Sequence, residues 1–189
     1  MAKDMEIELK FPLRDVPAEV AFLNAQAKPQ KQADRQKDTY YIPAHRNFLD
    51  YTYPYEWLRL RETTRGVQLT YKHFYPENTK QTDYCDEFQT SITDGEALKK
   101  ILASLNFKEI IVVEKTRSTW EYKDVEIAID EVAGLGPFIE LEAMRHYDNP
   151  KDGRDYLYGI LAEIKVKVGP EDLRGYPYLV LQNRQSQNH

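Results

Sequence analysis

Read as an extended strand, Met5 to Phe11 places Glu6, Glu8 and Lys10 on one face and Met5, Ile7 and Leu9 on the other. Pro12 ends it. The one-sided pattern recurs along the chain. In Trp57 to Arg61, Leu58 and Leu60 oppose Trp57, Arg59 and Arg61. Gly66 marks a hairpin turn, and the return strand over 67–74 keeps Gln68, Thr70 and Lys72 together. Residues 84–92 set Cys85, Glu87, Gln89 and Ser91 against Phe88 and Ile92. Residues 109–122 carry Lys115 and Arg117 opposite Val112 and Trp120, and 125–132 align Glu126, Ala128 and Asp130. Phe138 to Ala143 sets Glu140 and Glu142 against Ile139 and Leu141. Asp38 to Ile42 reads as a short strand ended by Pro43, and the polar, basic stretch over 28–37 before it reads as a loop or strand approach.

Three stretches have helical spacing instead. Val16, Val20, Leu23 and Ala27 follow one face of a helix opened by Pro17. Leu98, Ile101, Leu102 and Leu105 follow a cap at Thr93 or Asp94. Tyr156, Leu157, Ile160, Leu161, Ile164 and Val168 mark the third, over 151–168. About eight strands and three helices, joined mostly by short turns, predict an α+β fold with an antiparallel, meander-like sheet. With no internal repeat and no glycine-rich linker, 189 residues suit one domain. It is placed at 1–182, closing on the apolar piece Tyr176 to Leu181, and 183–189 reads as a disordered tail.

Composition narrows the function classes. A net charge of −5 argues against wrapping nucleic acid. No apolar run reaches membrane-span length, so no membrane role is expected. The single Cys85 excludes an intramolecular disulfide and fits a reduced, cytoplasmic setting. Four His without metal-type spacing argue against zinc.

The charged faces carry the functional signal. Glu6 and Glu8 repel each other unless a cation sits between them, although for that stretch alone a solvated strand face is the better reading. Recurrence changes the balance. Glu6, Glu8, Asp130, Glu140 and Glu142 make an acidic set, and Lys10, Arg59, Arg61, Lys72, Lys115 and Arg117 a basic one. If the sheet closes, these charges point into a lumen, where they must pair or bind something. A polyphosphate with divalent metal ions answers both needs.

On these elements the chain resembles the CYTH superfamily, the triphosphate tunnel metalloenzymes. The family's Glu-x-Glu-x-Lys is matched by Glu6, Glu8 and Lys10. Its basic strands are matched by Trp57-Leu58-Arg59-Leu60-Arg61, Leu69-Thr70-Tyr71-Lys72 and Glu114-Lys115-Thr116-Arg117. Its closing acidic element is matched by Asp130 to Gly136 and then Glu140-Leu141-Glu142. One departure stands out. Where many members read Arg-x-Glu-x-Glu, this chain has Cys85, Glu87 and Gln89.

The resemblance implies an eight-stranded antiparallel β-barrel, the triphosphate tunnel, with helices packed outside and Mg²⁺ or Mn²⁺ as cofactor. It implies metal-facing, catalytic acids at Glu6, Glu8, Asp130, Glu140 and Glu142. Lys10 joins the catalytic set, and a triphosphate grip is implied at Lys10, Arg59, Arg61, Lys72, Lys115, Arg117 and Arg174. Asp38 and Tyr40 match an Asp-x-Tyr element, either orienting a basic residue or serving as plain strand positions; Glu87 is a further candidate. Arg174 and Tyr176 resemble an Arg-x-Tyr pair. The expected activity is that of a class IV-type adenylyl cyclase, converting ATP to cyclic AMP and pyrophosphate. The alternative is hydrolysis of tripolyphosphate, thiamine triphosphate or a nucleoside triphosphate. A non-enzymatic triphosphate sensor ranks third. The partner expected is the small-molecule triphosphate, and a homodimer is compatible with the pattern. Trp57 and the Tyr-rich loop 51–55 either stack on a base or pack the barrel rim.

Overall fold

The structure is a computed structural model that describes residues 5–187. Residues 1–4 of the expected domain and 188–189 of the expected tail lie outside the described residues. The strands are β1 (Met5–Glu6), β2 (Glu8–Pro12), β3 (Lys28–Ile42), β4 (Glu56–Thr63), β5 (Gly66–Tyr75), β6 (Tyr84–Ile92), β7 (Lys108–Tyr122), β8 (Val125–Val132) and β9 (Gly136–Ala143). The helices are α1 (Val16–Gln26), α2 (Gly95–Ser104), α3 (Pro150–Ile164) and α4 (Tyr176–Gln187). None of the helices is long and apolar enough to cross a membrane.

All nine strands form one antiparallel sheet in the order β1-β6-β5-β4-β3-β7-β8-β9-β2. The α+β class holds, but the hydrogen bonding does not make a closed eight-stranded ring. The ladder has two ends, and the N-terminal segment supplies both. Glu6 pairs with Cys85 of β6, whereas Glu8 pairs with Glu142 of β9. The change of partner falls at Ile7, whose side chain is fully buried and whose carbonyl accepts from the Ala143 N–H at 3.0 Å. One segment thus holds both ends, and the sheet curls around the space between them.

The apolar strand faces point outward, against the helices. Ile7, Leu9, Phe11, Ile127, Ile139 and Leu141 pack with Leu23 of α1 and Leu157, Ile160 and Ile164 of α3. Trp120, also fully buried there, donates its indole N–H to Asn24 Oδ1 at 2.9 Å. On the other flank, Leu98 and Leu102 of α2 cover Leu58, Leu60, Val67 and Leu69. The helix starts follow the capping chemistry. The Asp15 and Asp94 carboxylates accept from Ala18 N and Ala97 N, and Asn149 caps α3 ahead of Pro150.

Two elements differ from the sequence reading. The polar stretch 28–37 is strand, because β3 pairs with β7 from Lys28 onward and with β4 from Gln36 onward. Ladder pairing, with β7 alone up to Arg35 and on both sides from Gln36, engages its backbone without an apolar alternation. At the other end, Tyr176 to Gln187 is one helix, so residues 183–187 are helical rather than a disordered tail. α4 is anchored by Tyr176 and Val180, which join Trp57, Phe74, Ile111, Val113 and Phe138 in an apolar cluster.

Since Ile7 is fully buried where the two sheet ends meet, Ile7→Ala is expected to lower unfolding free energy by about 2–5 kcal/mol. Urea denaturation checks this. A loss well under about 1 kcal/mol would contradict the packing described.

Candidate active site

The curled sheet encloses a cavity of about 650 Å³, lined by the inward faces of its strands. Lys10, Arg59, Arg61, Lys72, Lys115 and Arg117 all line it, as do Glu6, Glu8, Glu87, Glu140, Glu142 and Tyr40. Three of the expected site residues do not. Asp38 and Asp130 lie behind the lining, with 1% and 0% of their surface exposed. Arg174 lies outside, donating from Nε to Asp172 Oδ1 at 2.8 Å and stacking over Tyr178.

The two hidden carboxylates organise the basic wall. Asp38 takes Arg61 in a bidentate pair, Nε to Oδ1 and Nη2 to Oδ2, both at 2.7 Å, with Arg59 Nη1 at 4.0 Å. Burial alone would raise its pKa, yet the Arg61 charge holds it well below the usual carboxylate range. Asp38 thus pairs with a basic residue of the cavity lining. Asp130 accepts from Lys115 Nζ at 2.8 Å, Arg117 Nε at 2.7 Å and the Tyr176 hydroxyl at 2.8 Å. Glu140 is similarly engaged, with Lys10 Nζ at 2.9 Å and with Arg117. Burial, with Arg117 adding to it, pushes the Lys115 ammonium down to about 7 against the pull of Asp130.

The remaining acids form a different group. Glu8, Glu142 and Glu126 stand in one register row across β2, β9 and β8, and all three line the cavity. Glu6 is next to them, held by Lys72 Nζ at 2.7 and 2.8 Å, while Lys72 also meets Glu87 at 2.9 Å. Glu142 has no cation partner among the described residues. Burial first, then the charges of Glu8, Glu126 and Glu87, push it up to about 7 despite Lys72. Burial also raises Glu6 well above its usual value against the opposing pull of Lys72. The five expected metal acids thus divide. Glu6, Glu8 and Glu142 crowd together, with Glu6 held by Lys72 and Glu8 meeting Lys10 Nζ at 3.3 Å, whereas Asp130 and Glu140 each meet two cations.

Among the described residues, no three His, Cys, Asp or Glu side chains stand as a ready metal cage. The donor chemistry of the crowded group nonetheless fits a hard divalent cation. Its ligands are carboxylate oxygens, and Glu142 stands in register between Glu8 and Glu126 with no cation partner among the described residues.

Sequence reasoning passed over Glu126, Thr119, Gln36 and Lys31, which also line the cavity. Alternation with Asp130 was the available signal for Glu126. Lys31 carried none, because it reaches the cavity where the β3–β7 register shifts between Pro29 and Asp34, with Ala33 at φ 52°. Trp57, 4% exposed, packs edge-on against Tyr40 in the apolar cluster that also holds Tyr176 and Val180.

The CYTH domain family model matches residues 4–176. The chain belongs to the CYTH domain family. A Methanocaldococcus jannaschii relative named "Putative adenylate cyclase" is 31% identical over 148 residues, covering 78% of this chain and 82% of that one. Among solved structures, a Pyrococcus horikoshii protein superposes with a TM-score of 0.78 at 29% identity, over 94% of this chain and 98% of that one. A Hippeastrum protein, named a "Putative adenylyl cyclase" and described as having a dominant triphosphatase activity, shares the fold. Its TM-score is 0.57, with 15% identity over 90% of each chain.

In this CYTH protein Glu142 gives a pH signature. Its folded-state value of about 7 exceeds the ordinary 4.5, so the folded state binds a proton that the unfolded state has lost between those pH values. Stability therefore falls as pH rises through that window. In chelator, Glu142→Gln is expected to be more stable than wild type at pH 8, by about 1–3 kcal/mol, and no more stable near pH 4. Thermal unfolding across pH checks this, and a variant less stable than wild type at pH 8 contradicts it.

Proposed function

We propose that this CYTH protein is a divalent-metal-dependent enzyme acting on a triphosphate in the cavity, and that its reaction is conversion of ATP to cyclic AMP and pyrophosphate. The observation that carries the reading is the division of charge in one enclosed space. Guanidinium and ammonium groups backed by Asp38, Asp130 and Glu140 face a crowded set of carboxylates in which Glu142 has no cation partner among the described residues. A metal–triphosphate complex complements both. The name of the Methanocaldococcus jannaschii relative supports the cyclase assignment.

Glu8 and Glu142, with Glu6 and Glu126 beside them, would hold Mg²⁺ or Mn²⁺, which supplies Lewis-acid stabilisation of phosphoryl charge. Arg59, Arg61, Lys72, Lys115, Arg117 and Lys10 bind phosphate oxygens. Asp38 and Asp130 fix Arg61 and Arg117 beforehand, so less side-chain freedom is lost when the substrate arrives. In the cyclase reaction the ribose 3′-hydroxyl oxygen forms a bond to the α-phosphorus. The bond from that phosphorus to the bridging oxygen breaks, pyrophosphate leaves with the electron pair, and the hydroxyl proton passes to solvent.

Hydrolysis is the second reading. The same groups would bind the triphosphate and water would replace the ribose hydroxyl. The activity described for the Hippeastrum neighbour favours it.

The deciding experiment is product analysis with ATP, tripolyphosphate and thiamine triphosphate, each with Mg²⁺ and with Mn²⁺. Cyclic AMP and pyrophosphate from ATP are expected. Orthophosphate without cyclic product would replace the cyclase by the hydrolase, and no turnover of any of them would remove the enzyme reading. Arg59 gives a separate test of the grip. Its Nε has no partner among the described residues, and its Nη2 donates only to Thr70, at 3.2 Å. Arg59→Met is expected to weaken tripolyphosphate binding about 10- to 100-fold by calorimetry, with a Tm change of only a few degrees. Unchanged affinity would take Arg59 out of the grip.

A further inference from the structure

Tyr176 is the first residue of α4, and it enters the cavity from the C-terminal helix. It is 4% exposed. Its hydroxyl donates to Asp130 Oδ2 at 2.8 Å, and its ring packs edge-on against Phe138 at 5.2 Å. Two ammonium groups sit over that ring. Lys10 Nζ lies 4.7 Å and Lys115 Nζ 4.9 Å from its centroid. Lys10 comes from β2 and Lys115 from β7, so the ring joins strands that do not pair with each other.

Both lysines already have carboxylate partners, Glu140 for Lys10 and Asp130 for Lys115. A carboxylate contact fixes distance to one or two oxygens and leaves a four-carbon side chain free to pivot. A ring face adds a second, directional attraction, strongest where water is excluded. The edge-on contact with Phe138 and the hydroxyl contact with Asp130 both hold the ring in place, and the first does not need the hydroxyl. Between them, ring and carboxylates leave each ammonium little freedom, and both stay on the cavity lining.

We propose that Tyr176 is a positioning residue that holds the Lys10 and Lys115 ammonium groups in place for the phosphate chain, making the C-terminal helix a working part of the phosphate grip. This rests on the triphosphate reading above. It gives a reason for α4 to begin inside the site, with Gly175 turning the chain inward at φ +82°.

The test uses the full chain and three changes at one position, with a control elsewhere on α4. Tyr176→Phe keeps the ring and loses the hydroxyl. Tyr176→Leu loses both, and trifluorophenylalanine keeps the shape while removing the negative ring face, so the comparison survives if the leucine variant fails to fold. Val180→Ala disturbs the apolar cluster without touching either lysine. The first readout is the NMR signal of the Lys10 and Lys115 ε-methylene groups, which the ring face shifts whether or not any phosphate binds. The second is the affinity for tripolyphosphate.

The ring-current shift should persist in Tyr176→Phe and vanish in Tyr176→Leu. Affinity should stay within about threefold of wild type for Phe and Val180→Ala, and fall at least tenfold for Leu and trifluorophenylalanine. Unshifted lysine signals in the wild type, or a tenfold loss shared by Val180→Ala, overturn the proposal. So does full affinity in both ring-altered variants. Ring-shifted lysines in a wild type that binds no tripolyphosphate would show instead that the triphosphate reading is the part that fails.

Discussion

The buried Asp130 carboxylate is the contact on which the site depends. It has no exposed surface and accepts from Lys115, Arg117 and Tyr176. It therefore ties β7, β8 and α4 together at the wall of a polar cavity. An anion so buried is tolerable only because several donors converge on it, and removing one partner of such a group is expensive, about 3–5 kcal/mol. Asp38 does the same on the other side for Arg61. The sheet is in effect turned inside out. Its apolar faces pack on helices, and its inner face is a network of charges held by these two carboxylates.

That network explains why the acids are unequal. A carboxylate occupied by two cations is a support. A carboxylate crowded by others of its kind is an unmet demand for a cation. Asp130 and Glu140 belong to the first kind, and Glu142 to the second. Alternation along a strand shows which face a residue occupies. It does not show how deep the side chain lies or which cation reaches it first, so the sequence reading grouped all five acids alike.

Much of the rest was legible. The lumen-facing sides of β2, β4, β5, β7 and β9 followed from period-two alternation, and six basic residues on them line one cavity. What escaped has identifiable causes. Lys28 to Lys37 has no apolar face, and only its pairing partners on β7 and β4 make it a strand. The division of the first strand at Ile7 depends on β6 and β9, which lie far away in sequence. α4 has a polar surface and few buried anchors, so Tyr176 and Val180 did not stand out as a helical pattern.

Binding of Mn²⁺ with and without triphosphate tests the central claim most directly, since the two walls are held to be complementary to one metal–triphosphate complex. Electron paramagnetic resonance counts free Mn²⁺ as protein is added, alone and with tripolyphosphate. The account predicts tighter Mn²⁺ binding when tripolyphosphate is present than either partner's own affinities explain, and loss of that gain in Glu8→Gln. Mn²⁺ binding that ignores the triphosphate, or that survives Glu8→Gln unchanged, would contradict it.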